Sequence, residues 1–262
     1  MLELSYYSLT DVGRVRGNNE DAAGAYVPGD ERQRQRRGYL FAVADGVGGQ
    51  RQGEVASAWA IAGLLEGFAS FPAHLSHRDA LSRLIAAVND RIFTANLKSG
   101  HGGMATTLVA CALQLDRATI AHLGDSRCYL FRQGILRALT QDHNLAAEQL
   151  RLGLVGADGD SPNRNLLTRS LGTEMTARTE IAVHQLRAGD RLLLCSDGLH
   201  AAVEAEAIAA CLRRNLEPRS AAERLIALAN EAGGGDNITV QVIQIQQVEA
   251  TGMYRGRPYA LR

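Results

Sequence analysis

Four aspartates of this 262-residue chain stand where short apolar runs end or begin. Asp45 closes YLFAVA and precedes Gly46, Asp125 follows ATIAHLG, Asp197 follows RLLLCS and precedes Gly198, and Asp236 lies in GGGDN just before ITVQVIQI. One aspartate at a strand end is an ordinary turn former or helix cap. Four in the same setting aim their carboxylates at a common edge, and gathering them there costs several kcal/mol in repulsion and desolvation unless cations lie between them. The donors on offer are carboxylate and backbone carbonyl oxygens, with no His or Cys at ligand spacing, a set that suits magnesium, manganese or calcium over zinc. Gly46, lacking a Cβ, lets the backbone turn sharply and bring its carbonyl toward an ion. Near the N-terminus RVRGNNED adds the Glu20-Asp21 pair and a nearby arginine. A planar guanidinium beside divalent ions is what a phosphate ester requires.

The elements that must position these groups read as mixed. Short apolar or alternating runs bounded by Gly, Asp or charged turns predict strands at about 4–9, 22–27, 38–44, 105–115, 118–123, 127–132, 180–184, 190–195 and 238–246. The last alternates except for a slip at Val242-Ile243. Helical stripes run through 53–70 (Val55, Trp59, Ala62, Leu64, Leu65) and 78–97 (Leu81, Leu84, Ile85, Val88, Ile92, Phe93), with further helices at about 204–214 and 219–232. Strands and helix pairs come in groups rather than in strict alternation, which predicts an α+β sandwich covered by helices. Residues 144–170 read as a helix plus mobile loop, the basic run DERQRQRRG at 30–38 as a solvated hairpin loop, and 247–262 as a flexible tail following one domain over 1–246.

Composition narrows the function classes. Hydrophobic residues make up 46% and charged residues 21% of the chain, the profile of a globular domain rather than a disordered one. Twenty-eight basic residues cancel 28 acidic ones, so the overall basic field of a dedicated nucleic-acid binder is missing. No apolar run approaches the ~20 residues of a membrane span, and no signal-peptide pattern opens the chain. Cys111, Cys128, Cys195 and Cys211 sit in apolar stretches without CxxC spacing, which predicts buried thiols and a cytoplasmic location. GGGDN lacks the spacing of a nucleotide-binding loop, and Asp158-Gly159-Asp160 fails as a calcium loop because Pro162 interrupts it.

Eight segments together carry a family resemblance: TDVGRVRGNNEDA, FAVADGVGG, GMATTLVA, HLGDSRCYLFR, LTQDHN, LLTRSLG, LLLCSDGL and GGGDNITVQVI, in that order over about residues 5 to 245. They resemble the successive motifs of PP2C-type (PPM) metal-dependent serine/threonine phosphatases, in particular the short, single-domain bacterial members. The resemblance implies a central β-sandwich of two antiparallel sheets flanked by helix pairs, with a binuclear Mg2+ or Mn2+ centre at one end. Asp45 would bridge both ions; Asp197 and Asp236 would complete one site, and Glu20 and the Gly46 carbonyl the other. Asp21 would hydrogen-bond a water, Arg16 would hold the phosphate, and Asp125 would help bind a third, weaker ion, with 144–170 as the variable flap. The implied chemistry is direct attack of a metal-bridging hydroxide on phosphoserine or phosphothreonine. The implied partners are phosphorylated proteins and a cognate bacterial serine/threonine kinase, with no nucleic acid and no membrane insertion, for a monomeric enzyme.

One departure concerns the proton for the leaving oxygen. Relatives often carry histidine where this chain has Val47 or Gln50, so a water, Asp21 through a water, or a distant histidine stays open. His122 and His143 read as structural, and His200 lies next to the SDGL motif. A phosphoprotein-binding scaffold without turnover is the competing reading; it would be free to lose Asp45, Asp197 or Asp236, and this chain keeps all three.

Overall fold

The computed structural model describes residues 2–47, 52–72, 74–99, 103–154, 166–249, 251–254 and 257–260. In chain order the elements are β1 (Glu3–Asp11), β2 (Asp21–Tyr26), α1 (Glu31–Arg37), β3 (Tyr39–Val47), α2 (Gly53–Ser70), α3 (His77–Ser99), β4 (Ala105–Thr106), β5 (Leu108–Gln114), β6 (Arg117–Leu123), β7 (Arg127–Arg132), β8 (Ile135–Ala138), α4 (Leu145–Arg151), β9 (Glu180–Gln185), β10 (Arg191–Cys195), α5 (Asp197–His200), α6 (Ala205–Arg213), α7 (Pro218–Glu231), β11 (Ile238–Gln247), β12 (Thr251–Tyr254) and β13 (Arg257–Ala260).

Strand parity builds the layers. Along β3, Leu40, Ala42 and Ala44 pack with α2 and α3 residues such as Leu64, Phe68, Leu81 and Ile85. Tyr39, Phe41 and Val43 point the other way, into a core shared with Leu192, Leu194, Ile243 and Ile245 of the second sheet. That sheet's opposite face, with Leu193, Cys195, Val240 and Val242, meets Ile208, Leu212, Leu225 and Ala229 of α6 and α7. The result is a four-layer α-β-β-α sandwich, as the resemblance implies. One sheet has the order β1-β11-β10-β7-β8, the other β2-β3-β5-β6-β9 with β4 on β3, and every pairing is antiparallel. Because both faces of the inner strands are covered, their side chains are apolar in both parities. The slip in β11 is therefore no irregularity: Val242 faces the helices and Ile243 the other sheet.

Several sequence expectations need correction. Residues 31–37 form a helix, not a loop: Asp30 caps it by accepting from the Gln33 amide at 2.8 Å, and Gly38 ends it at φ 70°. Its sequence carries no apolar stripe, so hydrophobic periodicity could not reveal it. The buried stripe of α2 is Ala56, Ala60, Ile61, Leu64 and Phe68, with Ala62 exposed, because the small alanines let the helix lie close against β2 and β3. The short edge strand β8 was not anticipated, nor was the pairing of β12 with β13 into a separate hairpin within 247–262. The four cysteines are buried free thiols, as expected. No described helix is long and apolar enough to cross a membrane.

Candidate active site

Antiparallel pairing brings the ends of β3, β6 and β10 to the same edge as the starts of β2 and β11. Arg16 and Glu20 lie in the β1–β2 loop, Asp125 lies between β6 and β7, Asp197 opens α5, and Asp236 precedes β11. A cavity of ≈ 250 Å³ is lined by Arg16, Glu20, Asp45, Gly46, Val47, Asp125, Leu167, Asp197, Asp236 and Asn237. The fold thus gathers seven of the eight predicted site residues around one cavity. The eighth, Asp21, sits behind it. Asp21 stands opposite Asp45 in the β2–β3 register, and its Oδ2 accepts from the Ser196 hydroxyl at 2.7 Å.

Parity explains the inward aim. Asp21 continues the series of Ala23 and Ala25, and Asp45 the series of Phe41 and Val43, all on the faces between the sheets. Toward this end the intersheet filling turns polar: Thr10 and Thr239 share a 2.7 Å hydrogen bond, and Gln241 Nε2 donates to the Gly24 carbonyl at 3.0 Å. Gly46 does not turn the chain as expected; β3 continues through it, and its N–H donates to the Glu20 carbonyl at 3.1 Å. Its missing Cβ serves close packing instead, since a Cβ there would lie 2.3 Å from the Gly53 oxygen and 2.6 Å from the Glu20 oxygen.

The carboxyls perturb one another. Burial raises Asp45 well above the ordinary carboxylate range, and the charges of Asp21, Asp197 and Asp125 add to it. Burial likewise pushes Asp21 up to about 6 and Asp125 up to about 7, with Asp197 contributing to both. Glu20 and Asp197 also rise, again chiefly through burial. Asp197 Oδ1 is buried with no hydrogen-bond partner. An orphaned carboxylate oxygen among mutually repelling acids is what an oxygen-binding divalent cation would satisfy, so the residues present fit Mg2+ or Mn2+.

A sign follows for stability. Raised acid pKa values mean that between about pH 4 and pH 7 the folded protein holds more protons than the unfolded chain, so this contribution is complete below about pH 4 and is lost as pH rises through about 6 and 7. The metal-free protein is therefore expected to gain about 5–10 °C in Tm at about pH 8 from Mn2+ at a hundredfold its Kd there, and less from the same Mn2+ concentration at about pH 5. Thermal melts with and without EDTA check this; an equal or larger gain at the lower pH contradicts it.

Two supports of the site carry no motif or periodicity of their own in the sequence. Thr107 accepts from the Asp45 amide at 3.0 Å and shares a 2.6 Å hydrogen bond with Ser126, tying the Asp45 strand to the Asp125 loop. Asn237 donates to the carbonyls of Val12 at 3.0 Å and Asn18 at 2.9 Å and accepts from the Glu20 amide at 2.9 Å. It was visible only as the residue after Asp236. Asn237→Ala releases the loop that carries Arg16 and Glu20, and Mn2+ affinity measured by calorimetry is expected to fall about 10–100-fold.

Arg16 Nη2 donates to Asp236 Oδ2 at 2.8 Å, with its side chain 53% exposed at the rim. None of the described histidines lines the cavity. His200 is half-buried, and desolvation lowers it to about 4, so it is neutral near pH 7. His122 and His143 stack at 4.6 Å between ring centroids and 8° between planes. With Glu180 their donor atoms fall within 4.8 Å of one another. Lone pairs lying in two nearly parallel ring planes do not converge on one ion, and Arg169 already donates to Glu180 at 2.9 Å. This cluster is a polar brace, the structural role expected of both histidines. In the flap, α4 starts at the Asn144 cap and Leu167 bridges Asn144; Gln50, Asp158, Gly159, Asp160 and Pro162 lie outside the described residues.

An α-β-β-α sandwich with an acidic, arginine-rimmed cavity at one end is the arrangement of a metal-dependent hydrolase of phosphate esters. A family model described as Protein phosphatase 2C matches residues 17–230. The serine/threonine phosphatase stp of Listeria innocua serovar 6a is 36% identical over 241 residues, covering 90% of this chain and 93% of the relative. The structure of the S. agalactiae serine/threonine phosphatase superposes with a TM-score of 0.85 at 31% identity, over 93% of this chain and 100% of that one. The catalytic domain of the phosphatase PstP, solved in complex with two manganese ions, gives 0.81 at 35% identity, over 94% and 100%. The chain belongs to the protein phosphatase 2C family.

Proposed function

We infer that this chain is a metal-dependent protein serine/threonine phosphatase acting on phosphoserine and phosphothreonine proteins, and that it opposes a bacterial serine/threonine kinase. The observation that carries the reading is the single cavity in which Asp45, Asp197, Asp236, Glu20 and Arg16 meet. Asp45, Asp197 and Asp236 with Glu20 and the Gly46 carbonyl would hold two Mn2+ or Mg2+ ions, and Asp125 would contribute to a third, weaker one. Bound there, the ions supply an acidified attacking water and positive charge facing the phosphate. Arg16 leaves Asp236 to grip two phosphate oxygens, for which its planar fork is suited. Asp21, backed by Ser196, orients the attacking water. Val47 and Leu167 line the cavity but carry no proton, no described histidine lines it, and its acids are committed to the ions, so water, directly or relayed from Asp21, protonates the leaving alkoxide.

Release of phosphate from a phosphothreonine peptide in Mn2+, abolished by EDTA and restored by excess metal, tests the activity. A folded protein that binds the phosphopeptide in Mn2+ without releasing phosphate would instead be a scaffold.

A further inference from the structure

His200 does no chemistry in the cavity, yet its half-buried imidazole is committed to a backbone hydrogen bond at the edge of it. Its Nε2 lies 2.9 Å from the Asp125 carbonyl oxygen. The loop over 124–126 is held from three directions. His143 takes it by backbone and ring, its N–H donating to the Gly124 carbonyl at 3.0 Å and its Nδ1 accepting from the Gly124 amide at 3.2 Å. Thr107 holds Ser126. Only the third support, His200, comes from the turn that also carries a candidate metal ligand: α5 begins at Asp197 and is closed by the Ala201 amide donating to the Asp197 carbonyl at 2.8 Å. The underside of that turn is fixed as well, since a Cβ on Gly198 would lie 2.0 Å from the Asn237 oxygen.

We propose that His200 is a positioning residue: by donating from Nε2 to the Asp125 carbonyl it locks the Asp125 loop to the Asp197 turn and so sets the affinity of the weakest bound cation. The inference rests on the reading of Asp125 as a ligand for that ion. Without the bond the Asp125 loop keeps its Thr107 and His143 supports, so the fold survives, but its distance to Asp197 is no longer set.

The test is Mn2+ binding to the full chain by calorimetry, alongside melting of the metal-free protein. His200→Leu keeps the apolar bulk and removes the donor; it is expected to weaken the weakest Mn2+ about tenfold or more, the range for loss of a group that orients a metal ligand, with the two tighter ions unchanged. His200→Gln, whose amide N–H can reach the same carbonyl, is expected to regain most of that affinity. The pH profile of kcat should keep its shape in both, because the imidazole transfers no proton. Unchanged weak-ion affinity in His200→Leu overturns the proposal. So does a loss that His200→Gln fails to recover while its Tm returns to that of the wild type, which marks a packing role. Asp125→Asn separates the two ideas: if it leaves the weak ion untouched, or if the wild type binds only two ions, the ligand reading falls and this proposal falls with it.

Discussion

Asp45→Asn is expected to remove Mn2+ binding and turnover while raising the Tm of the metal-free protein at about pH 8. The two effects have one cause. Asp45 is half-buried opposite Asp21 and beside Asp197 and Asp125, and without a cation these carboxyls repel one another. Replacing one by an uncharged amide of the same shape relieves that repulsion, so the metal-free fold gains stability. The same change deletes the oxygen charge shared by both proposed core ions. Metal stabilisation of phosphoryl-transfer charge is worth several kcal/mol, so the rate at an Mn2+ concentration that saturates the wild type should fall by about a thousandfold or more. Melting curves with EDTA and phosphate release with Mn2+ read the two arms. Near wild-type Mn2+-dependent turnover in Asp45→Asn would sink the assignment of the centre.

Arg16→Ala is expected to act on a different quantity. Its guanidinium sits at the rim, bonded to Asp236 but more than half exposed, so its loss should leave the fold intact. What disappears is a charge-assisted, two-pronged grip on the phosphate, present in the bound substrate and only partly strengthened in the transition state. KM for a phosphothreonine peptide should therefore rise about tenfold or more, with a smaller fall in kcat. Arg16→Lys keeps the charge without the fork and should recover only part of the loss. A fall in kcat at unchanged KM would mean that Arg16 acts on the transition state alone.

The zero net charge acquires a structure in this light. Six acids and one arginine form the site, so the rest of the chain carries an equal excess of base. Once metal ions neutralise the cavity, a mildly basic body remains around it, favourable to phosphorylated proteins.

The aspartates that the fold gathers at the cavity were readable from the sequence because strand ends in an antiparallel sandwich converge, and because carboxylates at such ends have few reasons to recur. Asp45, Asp125, Asp197 and Asp236 were marked by the apolar runs they follow or precede, and a helix-covered α+β sandwich by the grouping of strands with helix pairs; the α-β-β-α layering came with the family resemblance. Local pattern also sufficed for α3, whose Leu81, Ile85, Val88 and Ile92 bury the stripe they spell. It failed for α1, which is polar all round and held by its Asp30 cap, and for the role of Gly46, whose close neighbours Gly53 and Glu20 lie elsewhere in the chain. Only the tertiary structure could show that Asp21 stands behind Asp45 rather than in the cavity, that Asn237 clasps the Arg16 loop through three hydrogen bonds, and that His200 spends its proton on the Asp125 carbonyl. Those facts depend on contacts between residues tens to hundreds of positions apart. Residue type and periodicity determine which groups can meet at the end of the sandwich; packing decides which of them face the substrate and which hold the others in place.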